Sequence, residues 1–203
     1  IVVFPGGVGT AEEILYILGI LLHPDNDNIP FPLIFTGPET AADYFNEIDR
    51  FIACTLGEEA QKLYKIMIND PVSVARKMRE GIDAVRDFRR KNDDAYYFNW
   101  MLKIDAHFQE PFIPNHENMR NLQLDTSLDH HLLAANLRRV FSGIVAGNVK
   151  DEGIRAIEQH GLFEINGDKE IMALMDELLS SFVEQQRMKL PGKEYKPCYI
   201  IRN

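Results

Sequence analysis

The chain predicts an α/β fold, a Rossmann-like, doubly wound parallel sheet followed by a mostly helical unit. Ile1-Val2-Val3-Phe4 is a short apolar run with two β-branched valines, as expected of a strand covered on both faces. It passes through a glycine-rich turn, Pro5-Gly6-Gly7-Val8-Gly9-Thr10, straight into a strongly apolar helical segment. Phe31-Pro32-Leu33-Ile34-Phe35-Thr36 then reads as the next strand. The chain opens inside an apparent core strand and lacks an initiator methionine. It is therefore expected to be the C-terminal part of a longer protein, with the first strands of its sheet missing.

In the first helix Ile14, Leu15, Ile17, Leu18, Ile20, Leu21 and Leu22 are apolar around most of the circumference, which predicts burial on several sides. The polar loop from His23 to Asn28 ends it. Thr36-Gly37-Pro38 falls at the carboxyl end of the second strand, the edge where open parallel sheets bind ligands and the edge that carries Pro5 to Thr10. Helical patterns follow over Thr40 to Phe51 and Glu58 to Ile68, with a break at Asn69-Asp70-Pro71. Asp70 suits the cap, and Pro71 the first position, of a helix with the apolar stripe Val72, Ala75, Met78, Ile82, Val85 and Phe88. The other face of that helix is basic, with Arg76, Lys77, Arg79, Arg86, Arg89, Arg90 and Lys91. A solvated face or subunit contact is the simpler account of that patch, and an anion site for a regulatory nucleotide the sharper one.

The strand and helix rhythm gives way near Asn92-Asp93-Asp94, which divides the chain into a sheet-and-helix unit, 1–91, that carries the glycine-rich turn, and a mostly helical unit, 92–203. The aromatic cluster Tyr96, Tyr97, Phe98, Trp100 and Phe108 fits core or interface better than base stacking. A long helix is expected from near Ser127 to Asn148, a shorter one over Asp151 to His160, and a short strand at Leu162 to Ile165 before an Asn166-Gly167 turn. Ile171, Met172, Met175, Leu178, Leu179 and Phe182 mark the last amphipathic helix. After the Pro191-Gly192 break, Cys198-Tyr199-Ile200-Ile201 suits a closing strand.

Composition narrows the function classes. An apolar content of 45% over 203 residues supports a globular core. With 22 Lys and Arg against 31 Asp and Glu the net charge is −9, which argues against general affinity for nucleic acid or anionic membrane. Cys54 and Cys198 are too few for a disulfide framework, which suits a reducing, cytoplasmic setting, and no apolar run reaches membrane-spanning length. His130 and His131 are helical neighbours about 100° apart, and His107 and His116 lie in unrelated segments, so no metal is expected. No cofactor is expected either.

The chemistry concentrates in the glycine-rich turn. Gly6, Gly7 and Gly9 let the backbone turn sharply and let a ligand approach the N–H groups. Thr10 is a candidate cap, and the helix dipole adds positive potential, so Gly6, Gly7, Gly9 and Thr10 are the expected phosphate-binding residues. Glu12 and Glu13 follow in what reads as the first turn, where dipole complementarity alone is one reason for acids. A loop that only held phosphate would gain nothing from them; one that also worked on the attached sugar would. The dinucleotide fingerprint fails because its third glycine position is Glu12, and the G-x-x-x-x-G-K-[ST] loop fails for want of a lysine.

Pro5, Gly6, Gly7, Gly9, Thr10 and Glu13 match the pattern P-G-G-x-G-T-x-x-E. It resembles the LOG family of phosphoribohydrolases, long labelled lysine decarboxylases. Molybdenum cofactor carriers share P-G-G-x-G-T, so Glu13 is the position that favours a hydrolase. Phe4 to Tyr16, together with the large C-terminal extension, resembles the bacterial nucleotide 5'-monophosphate nucleosidases within that family. The resemblance implies hydrolysis of the N-glycosidic bond of nucleoside monophosphates, with Glu13 catalytic, Glu12 a second candidate that orients a ribose hydroxyl, and a homo-oligomer. It also implies an arginine partner for Glu13 from a segment outside this chain. A non-catalytic nucleotide or cofactor carrier using the same cradle is the alternative. No residue pattern marks a lysine that would carry pyridoxal phosphate.

Overall fold

The computed structural model describes residues 1–94, 102–188, 190 and 194–202. Its first sheet is parallel, with order β1 (Val2–Val3), β2 (Ile34–Gly37), β3 (Lys65–Ile68). Ile34 lies opposite Val2 on one side and Lys65 on the other. Helix α1 (Val8–Leu21) joins β1 to β2, α2 (Ala42–Gln61) joins β2 to β3, and α3 (Pro71–Lys91) follows β3. Alternation along β2 separates two faces. Phe35 is fully buried and stacks on Phe45 and Tyr64, while Ile34 and Thr36 line grooves shared with α3.

Three expectations in this half need correction. β2 begins at Ile34 rather than Phe31 because Pro32 has no N–H for the ladder and the pairing starts beyond it. Residues 65–68, expected as the end of a helix, form β3: pairing with β2 outweighs an apolar spacing that also suits a helix. The two helices expected before them are one, α2, bent at Gly57, whose φ of 77° is left-handed. Cys54 lies on the exposed side of α2.

Helix α3 has its predicted cap, with Asp70 accepting from the Ser73 N–H at 3.0 Å. Its predicted stripe is largely uncovered. Val72 is 78% exposed, Ile82 44%, and Val74 is the residue of α3 that is buried. Met78, Ile82, Val85 and Phe88 instead form one wall of a groove of about 640 Å³ whose other wall is Ile29 to Pro32.

The second half contains α4 (Ala106–Gln109), α5 (His116–Arg120), β4 (Gln123–Leu124), α6 (His130–Val149), α7 (Asp151–His160), β5 (Phe163–Gly167), α8 (Lys169–Glu184) and β6 (Tyr199–Ile201). The long, short and final helices and the closing strand stand where expected. A second parallel sheet, order β4-β5-β6, adds β4 to the two expected strands. Asn166-Gly167 is no turn: both residues extend β5 and pair with Gln123 and Leu124. Of the aromatic cluster, Phe108 is buried and packs edge-on against Tyr16, with centroids 5.5 Å apart. Tyr96, Tyr97, Phe98 and Trp100 lie outside the described residues, as do Pro191 and Gly192.

Helix α1 lies along α6, and Gly19 permits the close approach: a Cβ there would come within 2.3 Å of Phe108 and 3.2 Å of Ala134. Leu18, Phe45, Leu137, Phe141, Phe163 and Phe182 belong to one continuous buried cluster that spans both sheets. The glycine-rich turn is therefore carried by a helix fixed on both sides.

Candidate functional site

The turns after β1 and β2 meet at the carboxyl edge of the first sheet. A Cβ on Gly37 would lie 3.0 Å from Pro5 and 2.8 Å from Ala41, so Thr36-Gly37-Pro38 does share the edge with the glycine-rich turn. Helix α1 starts at Val8 with extended Gly7 as its cap residue and no capping side chain. Thr10, expected as the cap, is the third helical residue: its N–H donates to Gly7 O at 3.2 Å and so is not available to a phosphate. Its hydroxyl folds over Gly6, where a Cβ would come within 2.0 Å of Oγ1. Among the described residues no acceptor is hydrogen-bonded to the N–H of Val8 or Gly9. These two donors stand at the positive end of the helix dipole. A Cβ on Gly9 would meet nothing within 4 Å, so packing does not require glycine there.

The carbonyl side of the turn is held from below. Tyr44 Oη donates to Gly7 O at 3.2 Å, and Arg187 Nη1 donates to Gly6 O at 3.2 Å. The Arg187 guanidinium lies 4.6 Å from the centroid of the Tyr44 ring, and its Nε donates to Gln185 Oε1 at 3.2 Å. The Arg187 backbone presses against Gly7, where a Cβ would stand 2.5 Å from Arg187 O. Burial pushes the Tyr44 phenol up to about 12, against a backbone hydrogen bond with Gly6, the Arg187 charge and a hydrogen bond with Thr10. Sequence reasoning missed Tyr44 and Arg187, since neither belongs to a local motif and Arg187 is 181 positions from Gly6.

Because α1 begins at Val8, its first turn contains no acid, and Glu12 and Glu13 stand one turn further in than expected. Dipole complementarity fades over the first turn and no longer accounts for them. Adjacent in the helix, the two diverge by about 100°. Glu12 is half-buried toward α6, with Oε1 3.9 Å from Arg138 Nη1. Burial raises its carboxyl above the usual range, opposed by the Arg138 charge and a hydrogen bond with Ser142. Arg138 also lies 5.3 Å from the centroid of Tyr16. Glu13 is exposed, has no ion pair among the described residues, and stands close enough to the turn for its charge to act on Tyr44.

The far end of α1 gathers a second group of polar side chains. Buried Asn26 donates from Nδ2 to Ile20 O (2.6 Å) and Lys103 O (2.8 Å) and accepts from Lys103 N at 2.6 Å. Beside it, His23 Nε2 is 3.3 Å and His131 Nε2 3.8 Å from Asp105 Oδ2. Their ligand-type atoms lie within 4.8 Å of one another. The donor types suit a divalent cation, but His23 Nδ1 accepts the Asp25 N–H at 3.0 Å. That bond puts the proton of the neutral ring on Nε2, facing Asp105. The group is held together by the approach of both imidazoles to the Asp105 carboxylate and by edge-on packing of the two rings, whose centroids are 5.0 Å apart. Sequence reasoning paired His131 with its neighbour His130 and did not bring His23 and Asp105 to it.

Along the basic face of α3, Lys77 pairs with Glu80, Arg86 with Asp83 and Arg90 with Asp87 on the same helix, and Arg89 lies 3.6 Å from Asp94 just beyond it. Among the described residues no helix is long and apolar enough to cross a membrane.

Residues 1–78 match the family model described as possible lysine decarboxylase, the older label of the LOG family, and residues 82–202 match the one described as pyrimidine/purine nucleotide monophosphate nucleosidase, C-terminal. Over 201 residues, 99% of this chain, it is 57% identical to the pyrimidine/purine nucleotide 5'-monophosphate nucleosidase of Escherichia coli K12. Proteins of the same name from the O6:H1 and O157:H7 strains match to the same extent. The chain spans 44% of the length of these relatives. With the second model covering more than half of its residues, the chain belongs to the pyrimidine/purine nucleotide monophosphate nucleosidase family.

Proposed function

We propose that this chain is part of an enzyme that hydrolyses the N-glycosidic bond of purine and pyrimidine nucleoside 5'-monophosphates to free base and ribose 5-phosphate. The observation that carries the reading is the juxtaposition of unpartnered amides at the α1 terminus with an unpaired carboxylate one turn on, Glu13. Gly6, Gly7 and Gly9 give the 5'-phosphate its approach, the Gly7, Val8 and Gly9 N–H groups bind it, and Thr10 contributes its hydroxyl rather than its amide. Glu13 then stands beside the ribose. Its carboxylate stabilises positive charge developing at C1' and accepts a proton from the attacking water; the water oxygen bonds to C1' as the C1'–N bond breaks, and the proton passes to the departing base. Glu12 serves as a positioning group through Arg138 and Ser142 rather than by direct contact with a ribose hydroxyl, because its carboxylate faces α6.

The same reading includes a division into units at 91/92, near where the two family matches abut, and a homo-oligomer in the cytoplasm. A regulatory nucleotide at the basic face of α3 would have to compete with acids already paired there. The natural full-length polypeptide is incubated with AMP, GMP, CMP and UMP, and the products are separated by chromatography. Free base and ribose 5-phosphate in equal amounts support the hydrolase. Tight nucleotide binding with no free base sinks it and leaves the carrier that shares the cradle.

A further inference from the structure

We infer that Arg187, delivered by the turn that ends α8, is a positioning residue for the phosphate cradle: it holds the carbonyl side of the glycine-rich turn so that the amides face the substrate. The inference rests on the reading of that turn as a phosphate site. Its physical basis is the planar trans peptide, in which the carbonyl of one residue and the N–H of the next point in opposite directions. Arg187 Nη1 ties down Gly6 O and Tyr44 Oη ties down Gly7 O, which directs the Gly7 and Val8 N–H groups away from both. Unrestrained, a turn with three glycines would sample many other orientations, and ordering it would weaken anion binding.

Arg187 is itself held on three sides. It lies over Tyr44, its Nε is bonded to Gln185, and Gln186 before it takes the left-handed conformation (φ 57°) that ends α8. The Arg187 N–H closes that turn on Phe182 O at 2.7 Å. Stacking on a ring while donating from a fixed fork is a geometry lysine cannot reproduce. The glycines differ accordingly. Gly7 must lack a side chain because Arg187 O occupies its place, whereas none of the described residues comes within 4 Å of a Cβ at Gly9. Residues far along the sequence, in the part matched by the C-terminal family model, thus set the shape of a turn at its start.

Arg187→Ala and Arg187→Lys in the natural full-length polypeptide test this. Ribose 5-phosphate binding is measured by calorimetry, with ribose as the uncharged control and a thermal melt for each variant. For the alanine variant the affinity for ribose 5-phosphate falls roughly 10–100-fold, the range for a hydrogen bond to a charged group. The lysine variant falls less, and added guanidinium chloride at millimolar concentration restores part of the loss in the alanine variant only. KM for AMP rises by the same factor while kcat changes little, as for lost uniform binding. A folded alanine variant with wild-type affinity overturns the inference. If that variant does not fold, the lysine variant decides, and wild-type affinity there overturns it equally. Wild-type protein that binds ribose 5-phosphate but releases no base refutes the hydrolase and leaves the role of Arg187 standing; wild-type protein that does not bind it removes both.

Discussion

The two ends of α1 treat their polar groups in opposite ways. At the His23 end, Asn26 makes three hydrogen bonds and Asp105 lies between two imidazoles, so the chain satisfies its own donors and acceptors. At the Gly7 end the Val8 and Gly9 amides and the Glu13 carboxylate are without partners among the described residues. Folding gains nothing from leaving such groups unpaired. The closed end fixes the helix that carries the open end. Changes at the open end should therefore act on chemistry and binding, and changes at the closed end on stability.

The largest effect should come from Glu13. A positioned acid or base is worth roughly 10²–10⁴-fold in rate, so Glu13→Gln should cut release of ribose 5-phosphate by about that factor and leave the melting temperature within a degree or so of wild type. Wild-type turnover in that variant would remove Glu13 from the mechanism. At the opposite end, Asn26→Ala deletes three hydrogen bonds from a side chain only 3% exposed and strands the Lys103 backbone groups. That should cost about 2–4 kcal/mol in chemical denaturation, with KM for AMP unchanged. Equal losses of stability and of substrate affinity would mean that the two ends are not separable.

Gly9→Ala sharpens the comparison because it should move the two quantities in opposite directions. It is the second residue of α1 and a Cβ there meets nothing, so alanine should stabilise the helix by roughly 0.5–1 kcal/mol. The same methyl occupies the approach to the cradle and should raise KM for AMP roughly tenfold, the effect of about 1.4 kcal/mol of lost binding. A more stable variant with unaltered KM would show that the phosphate lies elsewhere.

The open end was legible in the sequence because its information is local: three glycines, a strand before them and a helix after them fix the backbone geometry within a dozen residues. Its helical register was not. The cap was expected at Thr10, yet Gly7 caps the helix without a side chain, which moves both glutamates out of the first turn and takes the Thr10 amide out of the cradle. Arg187 and the approach of His131 to Asp105 and His23 were not legible, since contacts over long sequence separations leave no periodicity behind. Burial was legible for α6 and not for α3. Both show apolar spacing of three and four, but α6 has α1 against it, whereas the stripe of α3 borders an open groove. β3 was lost for a related reason, a four-residue run whose pairing with β2 decides between two local patterns.

The smallest predicted effect belongs to the closed end and depends on pH. Burial pushes the His131 imidazole below its ordinary value of 6.5, and the His23 charge pushes the same way, with a lesser contribution from His107; Asp105 and Asp129 oppose them. The folded state therefore favours the neutral ring. The unfolded chain binds more protons just below pH 6.5, so the contribution of His131 to stability is fully present above that value and is lost as pH falls through the lowered folded value. Melting temperature measured between pH 7.5 and 5 should decline on the acid side, and His131→Asn, which cannot titrate, should flatten that decline without altering its neutral-pH KM for AMP. The site lies roughly 20 Å along α1 from the glycine-rich turn, too far for a screened charge to reach the cradle. Identical acid limbs in the two proteins would show that the His131 proton is not coupled to folding, and a shifted KM would show that the closed end communicates with the open one.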